Sequence, residues 1–311
     1  MGIIDTLSAA FQRVAKKPWL AIVPFLLDLS LWFSPKVSIA SVIGRTLDLL
    51  QKNLASLTSG EGSGAEMTQT FGMTLDAFRD TIGHTNLLTL LVWQRLGVPS
   101  IAALKPIDPG VDRVIEITSY SQMLLLQLLL MVVGLLIACL FLGLLAQEVR
   151  GDSASTGSLA GHVLSYWWNM LLLIIPLGIA LILALSVSFV LGPLVLLVGI
   201  GLIVLTFLLI FLPQEITLSE AKPWAALTGS VRLVRSALWP TLVLLAVTNL
   251  LSTGLGLIWQ RLLLGSTAGA LIAMPINAFI GTGLTLTFFL FYRDRLAILQ
   301  TPAQEQRGES R

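Results

Sequence analysis

Long apolar runs alternate with short polar segments along this chain. The runs begin after Lys17 and recur until about residue 292, and the longest of them contain no Asp, Glu, Lys or Arg. A helix needs about 20 predominantly apolar residues to cross the hydrocarbon core of a bilayer, because its backbone amides must be hydrogen-bonded within the segment. The pattern therefore predicts an all-α fold, a polytopic transmembrane helical bundle.

The positions of the charges predict about six spans. The first covers residues 18–35 and contains one acid, Asp28. The charge-free stretch 153–214 is too long for one crossing, so we divide it at Gly192-Pro193, because Gly ends a helix and Pro suits the first turn of the next. The other predicted spans are 119–146, 166–190, 193–212, 238–259 and 270–292.

Basic residues beside the span ends predict the orientation. Cytoplasmic loops are enriched in Lys and Arg. One side, which includes both termini, carries Arg13, Lys16, Lys17, Arg150, Lys222, Arg232, Arg235, Arg293, Arg295, Arg307 and Arg311, whereas the short connections on the other side carry Arg261. We therefore expect a plasma membrane protein with cytoplasmic termini. The alternative, a cleaved signal peptide near residue 40, is disfavoured by Asp28 within its apolar stretch.

Short amphipathic segments precede the odd-numbered spans on the cytoplasmic side. They cover residues 3–16, 156–165 and 218–236, and the first belongs to an interfacial helix within residues 1–17. This recurrence suggests the hypothesis that the chain contains three helical hairpin units. After the first unit, residues 119–311 are predicted to form the membrane bundle and its cytoplasmic tail.

Residues 36–118 are predicted to form a small helical extracytoplasmic insertion. Apolar residues between Ile39 and Leu57 recur at intervals of three and four, which is typical of an amphipathic helix. A second stripe of this kind covers residues 71–82, after the flexible linker at residues 59–64. These helices are equally suited to a docking surface and to a passive lid.

The second half of the insertion is more apolar. His84-Thr85-Asn86 offers a cap for a short helix at residues 87–96, which we expect to dip into the outer interface with Trp93. The Pro-containing stretch 98–110 ends this helix. From Val111 we expect a helix that continues without interruption into the second span.

Composition agrees with a membrane protein and argues against nucleic-acid binding. Hydrophobic residues make up 55% of the chain and charged residues 12%, whereas about a quarter of the residues in soluble domains are charged. The 19 basic and 17 acidic side chains are spread over all polar segments, so no basic face is left for nucleic acid. We expect no nucleic-acid partner.

Patterns typical of catalytic chemistry are absent from the sequence. Cys139 is the single cysteine and lies in an apolar run, so neither a disulfide nor a cysteine-based metal site is expected. His84 and His162 are predicted on opposite faces of the membrane, which argues against a zinc site. Neither a glycine-rich phosphate loop nor a nucleophile elbow occurs. We expect no cofactor and no enzymatic activity.

Polar residues inside the predicted spans are the candidates for function. An ionised carboxylate at the centre of a helix costs about 2.5 to 3.5 kcal/mol on insertion scales, so Asp28 should face the bundle and find a partner. Asn249 and Asn277 are candidate partners, and the three form a candidate intramembrane polar site. The alternative is that Asp28 only fixes helix packing. Gly281-x-Gly283 should allow close approach to its helix.

Residues 219–245, SEAKPWAALTGSVRLVRSALWPTLVLL, carry one family resemblance. The segment resembles the recurring unit of the membrane domain found in some bacterial glycerophosphodiester phosphodiesterases and in stand-alone membrane proteins. The matching positions are Glu215 or Glu220, Ala226-Leu227, Ser230, Leu233-Val234-Arg235 and Trp239. The resemblance implies several helical hairpins. It does not imply phosphodiesterase activity, because no soluble region is long enough for a catalytic barrel.

Three functions are compatible with these patterns. The first is a non-catalytic membrane component, namely a scaffold, a partner subunit or an envelope-associated element, in contact with the lipid bilayer and with a membrane-protein partner. The second is a transporter or permease subunit, which requires Asp28, Asn249 and Asn277 to converge. The third is a lipid-handling protein with Arg232 and Arg235 at the level of the headgroups.

Overall fold

A computed structural model describes residues 2–58, 72–73, 75, 86–101, 114–151, 156–190, 194–263 and 266–308. Regular structure in these residues is almost entirely helical, which confirms the predicted all-α class. The α-helices are α1 (Ile3–Lys16), α2 (Ile22–Phe33), α3 (Ala40–Thr58), α4 (Tyr120–Arg150), α5 (Thr156–Val190), α6 (Leu194–Leu208), α7 (Leu212–Thr217), α8 (Pro223–Ser236), α9 (Leu238–Leu263) and α10 (Thr267–Gly308). Short 3-10 turns cover Pro18–Ala21, Leu87–Leu91 and Gln94–Leu96, and two strands, β1 and β2, cover Lys36–Ser38 and Val114–Glu116.

Five of the described helical segments are long and apolar enough to cross a membrane. They are Tyr120–Arg150, Leu159–Ala184, Leu196–Thr217, Leu238–Arg261 and Thr267–Gln300. The chain is therefore a multi-pass integral membrane protein. These segments correspond to the second through sixth predicted spans.

The first predicted span, residues 18–35, is a shorter apolar helix. It consists of a 3-10 turn followed by α2, and together they cover Pro18–Phe33. The 12 residues of α2 rise only about 18 Å. Pro18 opens the 3-10 turn, and the break before it separates α1 from α2.

The N-terminal segment packs along α10. Ile3 lies in one apolar cluster with Leu296, and the ring of Phe11 is 6.3 Å from the ring of Phe279. Trp32 packs against Met274, nearer the start of α10. The face of α1 that carries Ala10, Phe11 and Val14 thus packs within the bundle, and the position of this helix at the membrane interface stays a prediction.

The two strands close the insertion beside the membrane bundle. β1 pairs in parallel with β2, with Val37 opposite Ile115, and the N–H of Ile117 donates to the carbonyl of Ser38 at 3.0 Å. The prediction of an uninterrupted helix from Val111 was wrong, because residues 114–116 extend along β1 instead and α4 begins only at Tyr120. α3 lies where the sequence predicts the first amphipathic helix of the insertion.

Several predictions fall outside the described residues. These concern the linker at residues 59–64, most of the stripe at residues 71–82, His84 and the turn at Gly192-Pro193. Of the three amphipathic segments, residues 156–165 are continuous with the long helix α5, whereas α8 is a separate helix as expected.

The main apolar core surrounds α4. It includes Leu142 of α4, Leu286 and Phe289 of α10, Val14 of α1 and Met170 in the first half of α5. Half of the most apolar stretch of both α4 and α10 is buried, against 11% for α5 and 17% for both α6–α7 and α9. The bundle therefore has a packed half, made by α4, α10 and the first half of α5, and a largely uncovered half, made by the second half of α5, α6 and α9.

Candidate functional site

The carboxylate of Asp28 is fully buried at the contact between α2 and the segment that ends at Ile101. The hydroxyl of Ser100 donates to Oδ1, and the backbone N–H of Ile101 donates to Oδ2 at 3.1 Å. Each carboxylate oxygen thus accepts a hydrogen bond from the same short segment. This arrangement fastens residues 100–101 to α2.

Residues 86–101, here called the re-entrant segment, pass deep between the helices. The indole N–H of Trp93 donates to the carbonyl of Met131 at 3.1 Å, and the hydroxyl of Thr285 donates to the carbonyl of Gly97 at 2.6 Å. Met131 and Thr285 both lie well inside the long spans α4 and α10. Non-helical backbone is tolerated at such depth only where it is buried in protein or lines a water-filled cavity.

Asn86 holds the start of the re-entrant segment. Its side-chain oxygen accepts from the N–H of Leu88 at 3.1 Å and from the N–H of Val37 at 3.0 Å. The predicted cap at residues 84–86 is therefore made by Asn86. In place of the expected helix at residues 87–96, the structure has two 3-10 turns separated at Val92 and Trp93. The hydrogen bond from Trp93 to Met131 shows that this part of the chain enters the bundle.

Three glycines make room for the re-entrant segment. A Cβ at Gly134 of α4 would lie 2.6 Å from the carbonyl oxygen of Leu91, and a Cβ at Gly281 of α10 would lie 2.7 Å from Cγ of Pro99. Gly97 has φ of 91°, a conformation that other residues rarely adopt. The close approach expected at Gly281 is therefore to Pro99.

The neighbouring Gly283 performs the same role for α1. A Cβ there would lie 2.8 Å from Cε1 of Phe11. The Gly281-x-Gly283 pair thus accepts one contact from the re-entrant segment and one from the N-terminal helix. Both partners are side chains, proline and phenylalanine, rather than the backbone of a second helix.

The two asparagines do not join Asp28 in a hydrogen-bonded cluster among the described residues. Asn249 is exposed on α9, and Asn277 is half-buried on α10. Sequence reasoning identified Asp28 but missed its partners in the re-entrant segment, Ser100 and Ile101. The signal for them was the apolar sequence LGVPSI at residues 96–101, which is unusual for an exposed loop.

A second buried carboxylate lies at the opposite end of the bundle. Glu215 of α7 sits against Gly229 of α8, where a Cβ would come within 2.6 Å of the carboxylate carbon. The hydroxyl of Tyr292 contacts Glu215 and also shares a hydrogen bond of 2.6 Å with Ser219. These contacts join α7, α8 and α10.

An ion-pair cluster joins the ends of α4 and α5 to the turn before α8. Nη1 of Arg150 is 2.8 Å from Oε1 of Glu220, and Nη2 donates to the hydroxyl of Tyr166 at 3.1 Å. The same Glu220 oxygen accepts from Tyr166 at 3.1 Å and lies 3.5 Å from Nε2 of His162. Glu220 has φ of 52°, an uncommon conformation for a non-glycine residue.

Arg232 and Arg235 are exposed on α8, as headgroup contacts would require. Trp224 and Trp239, near the two ends of α8, are 76% and 75% exposed. We call this end of the bundle, which carries Arg150, α8 and Arg293, the basic end. Leu296 and Ile3 both pack there against the apolar cluster that contains Phe211 and Tyr292, so the N-terminal helix reaches the same end.

These polar groups stabilise contacts between segments of the bundle. The described residues contain no group of three His, Cys, Asp or Glu side chains with a geometry suited to a metal ion. Cys139 is buried in the core between α4 and its neighbours. Asp28, Glu215 and Glu220 each bridge two or more elements through hydrogen bonds or ion pairs.

Comparison with known proteins gives no match. No family model, no curated protein and no solved structure matches the chain. The resemblance of residues 219–245 to the phosphodiesterase-associated membrane domain stays a prediction.

Proposed function

We propose that the chain is a non-catalytic membrane component that binds a membrane-protein partner through the hairpin of α5 and α6. The observation that carries this proposal is the difference in burial between the two halves of the bundle. Only 11% of the most apolar stretch of α5 is buried within the chain, against 50% of α4. The uncovered hairpin is attached to a half that is already well packed.

The exposed residues of α5 are not confined to one face. Between Ile175 and Val187 they spread over more than half of the circumference of the helix, at 100° per residue. On α6, Leu196 and Ile203 are 74% and 71% exposed. The second half of α5 and much of α6 therefore leave a broad apolar surface uncovered within the chain.

Glycines on the hairpin support a protein partner rather than lipid alone. Glycine inside a helix costs about 1 kcal/mol relative to alanine, so it usually serves a close contact. Gly134 and Gly281 do so within the chain, whereas Gly178, Gly199 and Gly201 have nothing within 4 Å of their Cβ positions. Small residues at membrane helix interfaces let a second backbone approach closely.

The proposal assigns no catalytic step to the chain and places both termini on the cytoplasmic side of the plasma membrane. What supports the first point is that Asp28 and Glu215 are engaged in fastening segments. What supports the second is that Ile3 and Leu296 pack against the same apolar cluster at the basic end, which the positive-inside rule assigns to the cytoplasm.

Affinity purification of the full chain in mild detergent tests the proposal. We expect a membrane protein to co-purify in stoichiometric amount, and we expect Ile182→Trp and Ile203→Trp to lower its recovery at least tenfold, because a bulky side chain prevents close helix packing. Leu125→Trp on α4, where the leucine is 71% exposed, is the matched control and should change nothing. Equal recovery with all three variants would reject the proposal.

A transporter subunit is the second candidate, and the re-entrant segment is the observation that favours it. Transporters and channels place irregular backbone and discontinuous helices at membrane depth, next to their substrate or ion. Here the interrupted α1–α2 pair and the re-entrant segment meet at Asp28. Under this alternative, Asp28→Asn abolishes uptake of a solute while the protein remains folded.

A further inference from the structure

We propose that the exposed face of α8 binds the phosphate headgroup of an anionic phospholipid through Arg232 and Arg235. The inference is independent of the hairpin proposal, because α8 lies at the basic end and not on α5 or α6. It concerns the lipid that contacts this end of the protein.

The connections of α8 fix its level in the bundle. It follows α7, whose last residue ends the span Leu196–Thr217, and it precedes α9, whose span starts at Leu238. Both ends of α8 are therefore tied to span ends on the same side. Its inner face, which includes Ala226, Leu233 and Val234, is buried against the bundle.

The outer face of α8 combines polar and aromatic groups along one stripe. Trp224, Thr228, Arg232 and Arg235 are exposed, and Trp239 continues the stripe just beyond the helix. Tryptophan is enriched at the membrane–water interface, because its ring is apolar and its N–H is polar. Two tryptophans at the ends of the stripe therefore place the arginines between them at headgroup level.

The two arginines have their charge available for a ligand. Among the described residues, Lys17, Arg150 and Arg293 each have a carboxylate within 4 Å, whereas Arg232 and Arg235 have none. The sequence of α8 contains no acid. Arg232 also interacts with the charge of the buried Glu215, but at a longer distance than an ion pair.

The geometry favours a lipid phosphate over a soluble one. Arginine binds phosphate oxygens with two parallel N–H groups, and two such residues one turn apart suit a single headgroup. The acyl chains of that lipid would run beside Leu238 and Val243 of α9, which are 41% and 48% exposed. A soluble phosphate would gain nothing from the flanking apolar residues.

Native mass spectrometry of the full chain tests this site. The purified protein is titrated with phosphatidylglycerol and, separately, with phosphatidylcholine. Each basic residue near an anionic surface contributes about 1 kcal/mol, so Arg232→Gln with Arg235→Gln should weaken phosphatidylglycerol binding about thirtyfold. The control is Arg13→Gln with Lys16→Gln, because these two cations lie on α1 rather than on α8.

The outcomes separate the possible ligands. Preferential binding of phosphatidylglycerol that falls in the α8 variant, and not in the α1 variant, supports the proposal. Equal loss in both variants would show a general effect of charge and would overturn it. Displacement by millimolar inorganic phosphate, with the same dependence on the two arginines, would identify a soluble phosphate site and would also overturn it. Unchanged thermal unfolding of the variants shows that they remain folded.

Discussion

At the residue scale, Asp28 illustrates how a membrane protein uses a buried acid. An unpaired carboxylate in the hydrocarbon region is costly, and the acid therefore marks a place where the chain supplies donors. Two of these donors are the hydroxyl of Ser100 and the N–H of Ile101, which come from the insertion. These bonds favour the alternative that Asp28 fixes packing. Its observed partners are Ser100 and Ile101 in place of the predicted asparagines.

Substitution of Asp28 should lower stability through these bonds. In Asp28→Asn one side-chain oxygen remains as an acceptor, but the other is replaced by an NH₂ group that faces a donor, either Ser100 or Ile101. The change should lower the free energy of unfolding by about 1 to 3 kcal/mol. Ser100→Ala removes one of the same bonds, so the two effects should not add. Unfolding in mild detergent measures both single variants and the double variant. If the two changes in the free energy of unfolding simply add, Asp28 and Ser100 are not energetically coupled, and the hydrogen bond between them does not stabilise the protein.

Glycines provide a matched set for testing close packing. Gly134→Ala should destabilise the protein by about 1 to 3 kcal/mol, because the new methyl group would meet the backbone of Leu91. Gly254→Ala on α9 should be neutral or stabilise by up to about 1 kcal/mol, because nothing lies within 4 Å of that position. Thermal unfolding of the two variants under identical conditions compares them. A destabilised Gly254→Ala with an unaffected Gly134→Ala would contradict the described packing.

At the element scale, the long spans follow directly from the sequence. A helix in lipid satisfies its own backbone, so apolar length alone predicts α4, α5, α6, α9 and α10. No comparable rule identified the re-entrant segment. Its apolar residues are compatible both with a helix on the interface and with a coil buried in protein, and only contacts with α4 and α10 distinguish the two.

The paired strands were also beyond sequence reasoning. β1 and β2 are three residues each, and they lie at the two ends of the insertion. Such short strands gain their stability from long-range closure rather than from a local pattern. The sequence pattern therefore predicts a helix for the residues before α4, since the adjoining span is strongly helical.

Cysteine labelling tests the position of the re-entrant segment. The native Cys139 is buried and provides a silent background. We expect Val98→Cys to resist a membrane-impermeant maleimide, because Val98 is 1% exposed, and Lys52→Cys on α3 to react readily, because Lys52 is exposed. Rapid labelling of residue 98 in the folded protein would show that the segment lies on the surface instead.

At the scale of the whole molecule, the chain divides into a packed half and an uncovered half. The re-entrant segment, α1 and α2 fill the space around α10 and α4, and the first half of α5 packs there through Tyr166 and Met170. The second half of α5 and all of α6 contribute no buried residue to that core among the described residues. The uncovered half carries glycines whose surroundings are open, which is the basis for proposing a partner in the membrane.

The most direct test of that proposal is site-specific photocrosslinking in the native membrane. A photoreactive amino acid is placed at Ile182 or Ile203 on the hairpin, and at Leu125 on α4 as the control. We predict a protein adduct of one defined mass at the hairpin positions and lipid adducts alone at residue 125. Lipid adducts alone at all three positions would contradict the account, because the hairpin would then simply face the bilayer.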